Sequence, residues 1–289
     1  QHKANGWWYE FQLKLANKII FSKWRAALGG NIAAVVSGGS ALQPRLARVF
    51  HAAQIKILEG YGLTETAPVI AVNNFDDKKI KIGTVGLVLN NVKVKIADDG
   101  EIYVKGPNVM LGYFKQPELT KEVIDSDGWF HTGDIGKFED GVFLKITDRK
   151  KEMFKTSGGK YITPQIIENK LKESRFIEQA MLIGENEKFP GAFIVPAFAF
   201  LKQWCEKRKI ACTGNEEMIK HPEIIKRVWQ EIEEVNKDLA QYERIKKIEL
   251  LPKEWTIDHG EMTPKLSLKR KVILEANKKA YDKIYQHMI

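Results

Sequence analysis

From Trp7 to Leu28 the large apolar side chains recur at near-helical spacing, at Trp7, Trp8, Phe11, Leu15, Ile19 and Trp24. Spacings of three and four put them on one side of a helix, which predicts an amphipathic helix packed against a core. A helix lying on a membrane surface is the alternative reading of the same stripe. Next comes a β-α-β pattern. Ile32–Val36 reads as a short strand and Ser37-Gly38-Gly39-Ser40 as a loop. Leu42, Leu46, Val49 and Phe50 mark one helix face, and Ile55–Leu58 a second strand. Ligands in such units bind outside the carboxyl ends of the strands. The two loops expected there are Ser37–Ser40 and the stretch Glu59-Gly60-Tyr61-Gly62-Leu63-Thr64-Glu65-Thr66.

From about Ile80 the period changes to two. Val92, Val94 and Ile96 alternate with polar residues, Asp98-Asp99-Gly100 turns the chain, and Ile102, Tyr103 and Val104 return, which predicts a β-hairpin. A turn at Glu139-Asp140-Gly141 leads into a strand over Val142–Ile146, and a short helix is expected after Pro117. Past Lys151 helices and strands alternate. Thr163-Pro164 reads as an N-cap and first-turn pair, Ala180–Ile183 and Ala192–Ala197 as strands, and 222–240 and 272–285 as helices. The fold class expected is therefore α/β followed by α+β. Its first part is 1–150, with an α/β unit over 1–79 and a β-rich subdomain over 80–147. A smaller α+β domain is expected over 151–289.

Composition narrows the function classes. Of 289 residues 44% are hydrophobic and 29% charged, an ordinary globular balance. No apolar run approaches the ~18–20 residues that a membrane helix needs. No signal-peptide pattern is visible, so a cytoplasmic protein is expected, with peripheral contact at the inner face of the membrane left open. The net charge is +9, but the lysines are spread and alternate with Glu and Asp. That favours a solvated surface, and nucleotides or CoA over nucleic acid as anionic partners. Cys205 and Cys212 lack a metal-ligand pattern and the six His form no H-x-x-x-H pair, which predicts reduced thiols.

Three stretches concentrate chemistry. Gly60 and Gly62 bracket Tyr61, allowing close backbone approach and a ring free to stack on a base. Thr64 and Thr66 offer hydroxyls to phosphate, and Glu65 could reach Mg²⁺. A hydrogen-bonded loop with a buried tyrosine is the competing reading. Gly133-Asp134-Ile135-Gly136 sets a carboxylate in a glycine-bracketed corner, and Asp148-Arg149-Lys150-Lys151-Glu152 precedes the basic loop Thr156-Ser157-Gly158-Gly159-Lys160.

In this order YGLTET (61–66), GWFHTGDIG (128–136) and DRKKEMFKTSGGKY (148–161) resemble the adenylate-forming (AMP-binding, acyl-CoA synthetase) superfamily, most of all its bacterial long-chain fatty acid–CoA ligases. The resemblance covers essentially the whole chain. It implies the C-terminal part of a large AMP-binding domain followed by a small mobile domain hinged at Lys151. The nucleotide-binding set it implies is Ser37, Gly38, Gly39, Ser40, Glu59, Gly60, Tyr61, Gly62, Thr64, Asp134, Ile146, Arg149 and Lys269. Within that set Tyr61 stacks on adenine, Thr64 reaches the α-phosphate, and Asp134 and Arg149 meet the ribose. Glu65 is the implied Mg²⁺ ligand, and Thr64, Glu65 and Lys269 the implied catalytic residues. Lys155, Gly158, Gly159 and Lys160 are implied to meet the pantetheine arm of CoA.

Lys269 follows from the resemblance of Met262–Lys271 to the family's terminal motif, although Leu268 replaces a frequent Gly and Lys265 and Lys271 lie nearby. A solvated basic helix start is the plain alternative. The family's Ser/Thr/Gly-rich loop ending in Pro-Lys-Gly is absent from this sequence, and the first residue is Gln1. These features lead to the expectation of a fragment that is inactive alone. The implied reaction joins a long-chain fatty acid to ATP as acyl-AMP and then transfers the acyl group to CoA. Transfer to a carrier-protein thiol, or a non-catalytic nucleotide-binding module, are the alternatives. Acyl length and oligomeric state stay open.

Overall fold

The computed structural model describes residues 6–76, 79–211 and 214–285. Two compact units form, over residues 1–146 and 147–289.

The first unit opens with helix α1 (Trp7–Ala16), a π-helical turn over Asn17–Phe21, and helix α2 (Ser22–Ala27). The helix forms as its periodicity predicts, but it is not packed along its length. Trp7 is 79% exposed, Trp8, Phe11, Leu15 and Ile19 are about half exposed, and no residue of α1 or α2 is buried. Only the second half reaches a core. Phe21 packs against the small cluster of Ala53, Ile55 and Ile57, and the Trp24 ring lies 6.0 Å from that of Phe50. Arg25 fixes this end by donating to Asn17 Oδ1 and to the Ala53 carbonyl.

Strand β1 is only Val35–Ser37, so Ile32 lies outside it and is 44% exposed. Helix α3 (Pro44–Ala52) starts on a proline whose missing N–H has no partner to lose there. It returns the chain to β2 (Ile57–Gly62), which pairs with β1 in parallel. Then follow β3 (Val69–Val72), β4 (Gly86–Val88), β5 (Lys93–Ile96), β6 (Glu101–Lys105), helix α4 (Pro117–Val123), β7 (Phe130–Glu139) and β8 (Phe143–Arg149). Together they make one sheet ordered β1-β2-β3-β4-β8-β7-β6-β5. The β-rich stretch after residue 80 therefore continues the sheet begun by the α/β pattern. The β5–β6 hairpin turns at Ala97–Gly100 with Ile96 opposite Ile102, as period and turn chemistry predict. Ile70, Ala71, Ile102, Val104 and Leu144 form the core on this sheet.

The second unit begins with a hairpin of β9 (Phe154–Lys155) and β10 (Tyr161–Ile162). Helix α5 (Pro164–Leu171), β11 (Ile177–Ile183), β12 (Gly191–Pro196), α6 (Phe198–Arg208), α7 (Asn215–Met218), α8 (Pro222–Lys237) and β13 (Lys247–Leu250) follow. The sheet order is β11-β12-β13, antiparallel and then parallel. The stripe Ile224, Val228 and Ile232 of α8 is fully buried, each side chain contributing about 1.5–3 kcal/mol. The helix expected over 272–285 is two, α9 (Arg270–Ala276) and α10 (Lys278–Tyr285), broken at Asn277. Thr163 makes no capping hydrogen bond to α5. The carboxylate of Asp148 does so instead, accepting from Gln165 N–H at 3.1 Å. Cys205 is buried, and Cys212 lies outside the described residues. No described helix is long and apolar enough to cross a membrane.

Candidate functional site

Parallel pairing aligns Ser37 with Glu59, so β1 and β2 reach the same end of the sheet together. A Cβ built on Gly38 would stand 3.4 Å from the Gly60 carbonyl oxygen, which measures how closely the two segments approach there. Ser37 is half-buried, whereas Gly38, Gly39 and Ser40 are exposed.

The stretch expected as a loop from Glu59 does not leave the sheet until after Gly62. Residues 59–62 belong to β2, and Gly60 to Gly62 pair with β3 through an irregularity between Tyr61 and Gly62. Gly62 is where only glycine fits, because a Cβ there would lie 1.7 Å from the Pro68 carbonyl oxygen. Thr64–Thr66 then makes one 3₁₀ turn. Thr66 is fully buried and its hydroxyl is committed to Leu63 and Pro68, so it cannot face phosphate as its sequence position suggested. Thr64 is exposed. Glu65 is half-buried, with one oxygen accepting from the Tyr113 hydroxyl at 3.0 Å and its carbonyl accepting from Met110 N–H at 2.8 Å. Glu59 is buried and accepts from Gly83 N–H at 2.9 Å. Burial pushes its pKa up, opposed by that N–H and by the charge of Lys145.

The decisive contact in this unit joins residues 73 apart in sequence. The Tyr61 hydroxyl donates to Asp134 Oδ2 at 2.6 Å. Asp134 is only 5% exposed and sits on β7, where Gly133 turns the backbone at φ +70° and donates its N–H to Glu101 Oε1 at 2.9 Å. The Asp134 N–H donates to the Thr132 hydroxyl, which itself donates to the Ile102 carbonyl. Tyr61 and Ile146 pack on the same apolar cluster. A tyrosine ring face beside a buried carboxylate suits a flat base joined to a sugar diol, since a carboxylate offers several acceptor positions to two hydroxyl donors.

The second unit carries the other expected residues. Arg149 ends β8, is exposed, and its carbonyl accepts from Glu152 and Met153 N–H, so Lys150 and Lys151 ride on a tight turn. In the β9–β10 hairpin Thr156 N–H bonds the Lys160 carbonyl and Gly159 adopts φ +79°. Ser157 N–H donates to the Glu187 carbonyl, which tethers the loop from behind. Gly158, Gly159 and Lys160 are exposed, and nothing but the Thr156 hydroxyl lies within 4 Å of a Cβ built on Gly158. Lys155 Nζ lies 5.5 Å from the centre of the Tyr161 ring and Lys160 Nζ 5.9 Å from that of Tyr242. Lys269 is exposed, directly before α9.

Sequence reasoning missed the residues that hold these groups. Tyr113 lies 48 positions from Glu65, and no local pattern links them. Thr132 was visible inside GWFHTGDIG, but its two hydrogen bonds were not. Among the described residues no group of three or more His, Cys, Asp or Glu gathers to hold a metal. Mg²⁺ that arrives with a nucleotide needs only one or two carboxylates besides the phosphates, which Glu65 fits.

Comparison with known proteins gives the family of this chain. The family profile of the AMP-binding enzyme matches residues 9–114, and that of the AMP-binding enzyme C-terminal domain matches 152–288. The chain belongs to the adenylate-forming, AMP-binding enzyme family. Within that family it is 39% identical over 272 residues to long-chain-fatty-acid–CoA ligase FadD15 of Mycobacterium bovis, covering 93% of this chain and 44% of the ligase. It is 34% identical to human long-chain-fatty-acid–CoA ligase 1, covering 94% of this chain and 40% of that protein. The chain thus spans under half the length of these relatives. Its fold is that of the crystal structure of the adenylation domain of a carboxylate reductase from Mycobacterium chelonae. The TM-score is 0.71 at 20% identity, over 93% of this chain and 41% of that one.

Proposed function

We propose that the enzyme built on this chain joins a long-chain fatty carboxylate to ATP, forming acyl-AMP and pyrophosphate, and then passes the acyl group to the thiol of CoA. The observation that carries the reading is the Tyr61–Asp134 hydrogen bond, which makes one cradle from two distant motifs. Similarity to long-chain-fatty-acid–CoA ligases over more than nine-tenths of the chain supports the choice of acid and acceptor.

In this reading adenine stacks on Tyr61 beside the loop Ser37–Ser40, with Glu59, Gly60, Gly62 and Ile146 framing the ring. Asp134 accepts from the ribose hydroxyls, keeping an oxygen for the Tyr61 hydroxyl, and Arg149 adds a guanidinium to the sugar. Thr64 donates to the α-phosphate. Glu65 would hold Mg²⁺, whose chemistry is to neutralise phosphate charge. Lys269 donates to the carboxylate and α-phosphate oxygens as they meet, an electrostatic and positional role that needs no covalent enzyme intermediate. The hinge is assigned to Lys151. The thioester half belongs to Lys155, Gly158, Gly159 and Lys160, where the open space at Gly158 admits a slender pantetheine arm.

The test is fatty-acid-dependent ATP–pyrophosphate exchange by the full-length enzyme over a panel of carboxylic acids, with CoA thioester measured in parallel. Exchange with long-chain fatty acids and CoA-dependent thioester supports the reading. Exchange only with amino or aromatic acids overturns the substrate, and thioester on a carrier protein but not on CoA overturns the acceptor.

A further inference from the structure

The strongest unabsorbed feature is a buried ion cluster beside Lys269. Arg270 forks onto Glu168 with Nη1–Oε1 at 2.9 Å and Nη2–Oε2 at 2.8 Å. Its Nη1 also donates to the Leu182 carbonyl at 3.3 Å and its Nε to Glu152 Oε2 at 3.5 Å. Glu168 in turn accepts from Leu182 N–H at 2.7 Å. The Glu168 side chain is 5% exposed and that of Arg270 17%. One guanidinium thereby ties the first residue of α9 to helix α5, strand β11 and the turn after β8. Two further charged groups face the cluster, Asp148 and Lys172.

Lys269 is fixed from the other side too. Its N–H donates to the Glu261 carbonyl at 2.8 Å, and its carbonyl accepts from Ile273 N–H at 3.1 Å. Leu268 bridges Met262 and packs with it against the main core. The side chains of 268 and 270 are both anchored inward while Lys269 stays exposed between them. Lys265 lies in the exposed tip beside Leu266, which adopts φ +60°, and has no such flanks. Lys271 is exposed on the first turn of α9.

We infer that Arg270 is a positioning residue for adenylation: its bidentate bond to Glu168 locks the backbone that aims the Lys269 ammonium. A bidentate guanidinium–carboxylate pair sets geometry as well as energy, which lysine cannot reproduce. The inference rests on the role given to Lys269 above.

The experiment measures both half-reactions in the full-length enzyme, ATP–pyrophosphate exchange and thioester formation from supplied acyl-AMP, together with thermal midpoints. The variants are Lys269→Ala, Arg270→Lys, Arg270→Met, and the paired Glu168→Leu with Arg270→Met, which removes both charges of the bidentate pair together and so leaves neither of the two buried without the other. Arg270→Met is expected to lower kcat of exchange about a hundredfold, since misplacement by about 1 Å suffices for that, with KM for ATP and the thioester half near wild type. Arg270→Lys should fall between. The paired variant should recover part of the thermal midpoint that Arg270→Met loses and none of the exchange. Recovery of exchange along with the midpoint, or equal loss in both halves, would overturn the positioning role. If Lys269→Ala abolishes exchange while Arg270→Met leaves it intact, this inference alone falls. If Lys269→Ala leaves exchange intact, the role of Lys269 falls as well.

Discussion

Asp148 shows what one buried carboxylate can do at the junction of a strand and a helix. It is fully buried, accepts from the N–H groups of Arg149 at 2.7 Å and Gln165, and faces Glu168 and Arg270. Burial pushes its pKa up to about 6, against the two N–H groups and Arg270. Because the folded form holds this proton more tightly than the unfolded chain, the carboxyl favours folding most below about pH 4 and loses that contribution as pH rises to about 6. The difference is about 3 kcal/mol. An NMR titration of the Asp148 carboxyl carbon should therefore show a midpoint well above the usual carboxylate range, and Asp148→Asn should flatten that part of the stability profile. A midpoint near 4 would reject the account. The sequence displayed Asp148 beside Arg149 as a plain charge knot. That it caps α5 in place of Thr163 was not legible, because the two meet only when β8 and α5 pack.

At the scale of elements, periodicity was a good guide to what forms and a poor one to what is covered. The β5–β6 hairpin and helix α8 follow their two- and 3.6-residue periods. The helix from Trp7 follows its period equally well, yet its apolar stripe faces outward for most of its length. A stripe records a preference for apolar surroundings and not what supplies them. Likewise β2 runs through Gly60-Tyr61-Gly62, because pairing with β3 outweighs the glycines that suggested a loop. Burial, then, should decide mutational cost. Ile167→Ala on α5, at 1% exposure, should cost about 2–5 kcal/mol, and Phe11→Gln on α1, at 54% exposure, within about 0.5 kcal/mol. Urea unfolding of the two variants measures the contrast, and comparable losses would show that the α1 stripe is covered in solution.

For the molecule as a whole, the motifs signalled the residues and the fold supplied the partners. Tyr61 and Asp134 each stood out in sequence. Their 2.6 Å bond depends on a sheet that brings β2 and β7 into one body. The second unit closes a large core of its own between Phe154 and Tyr285, whereas the first spreads its apolar residues over two small clusters.

The edge of the first sheet has a further consequence, colloidal in kind. Strand β1 ends the sheet and carries Val36 at 66% exposure, close in sequence to exposed Ile32 and Leu46. An open edge with apolar neighbours is a template for self-association. A net charge of +9 opposes that by mutual repulsion, which salt weakens as the Debye length falls from about 10 Å at 0.1 M to about 3 Å at 1 M. Light scattering from the purified 289-residue chain should therefore rise with ionic strength, and Val36→Lys should suppress the rise. Salt would act here as a precipitant through charge screening, and the three residues of β1 would set how much of it the chain tolerates.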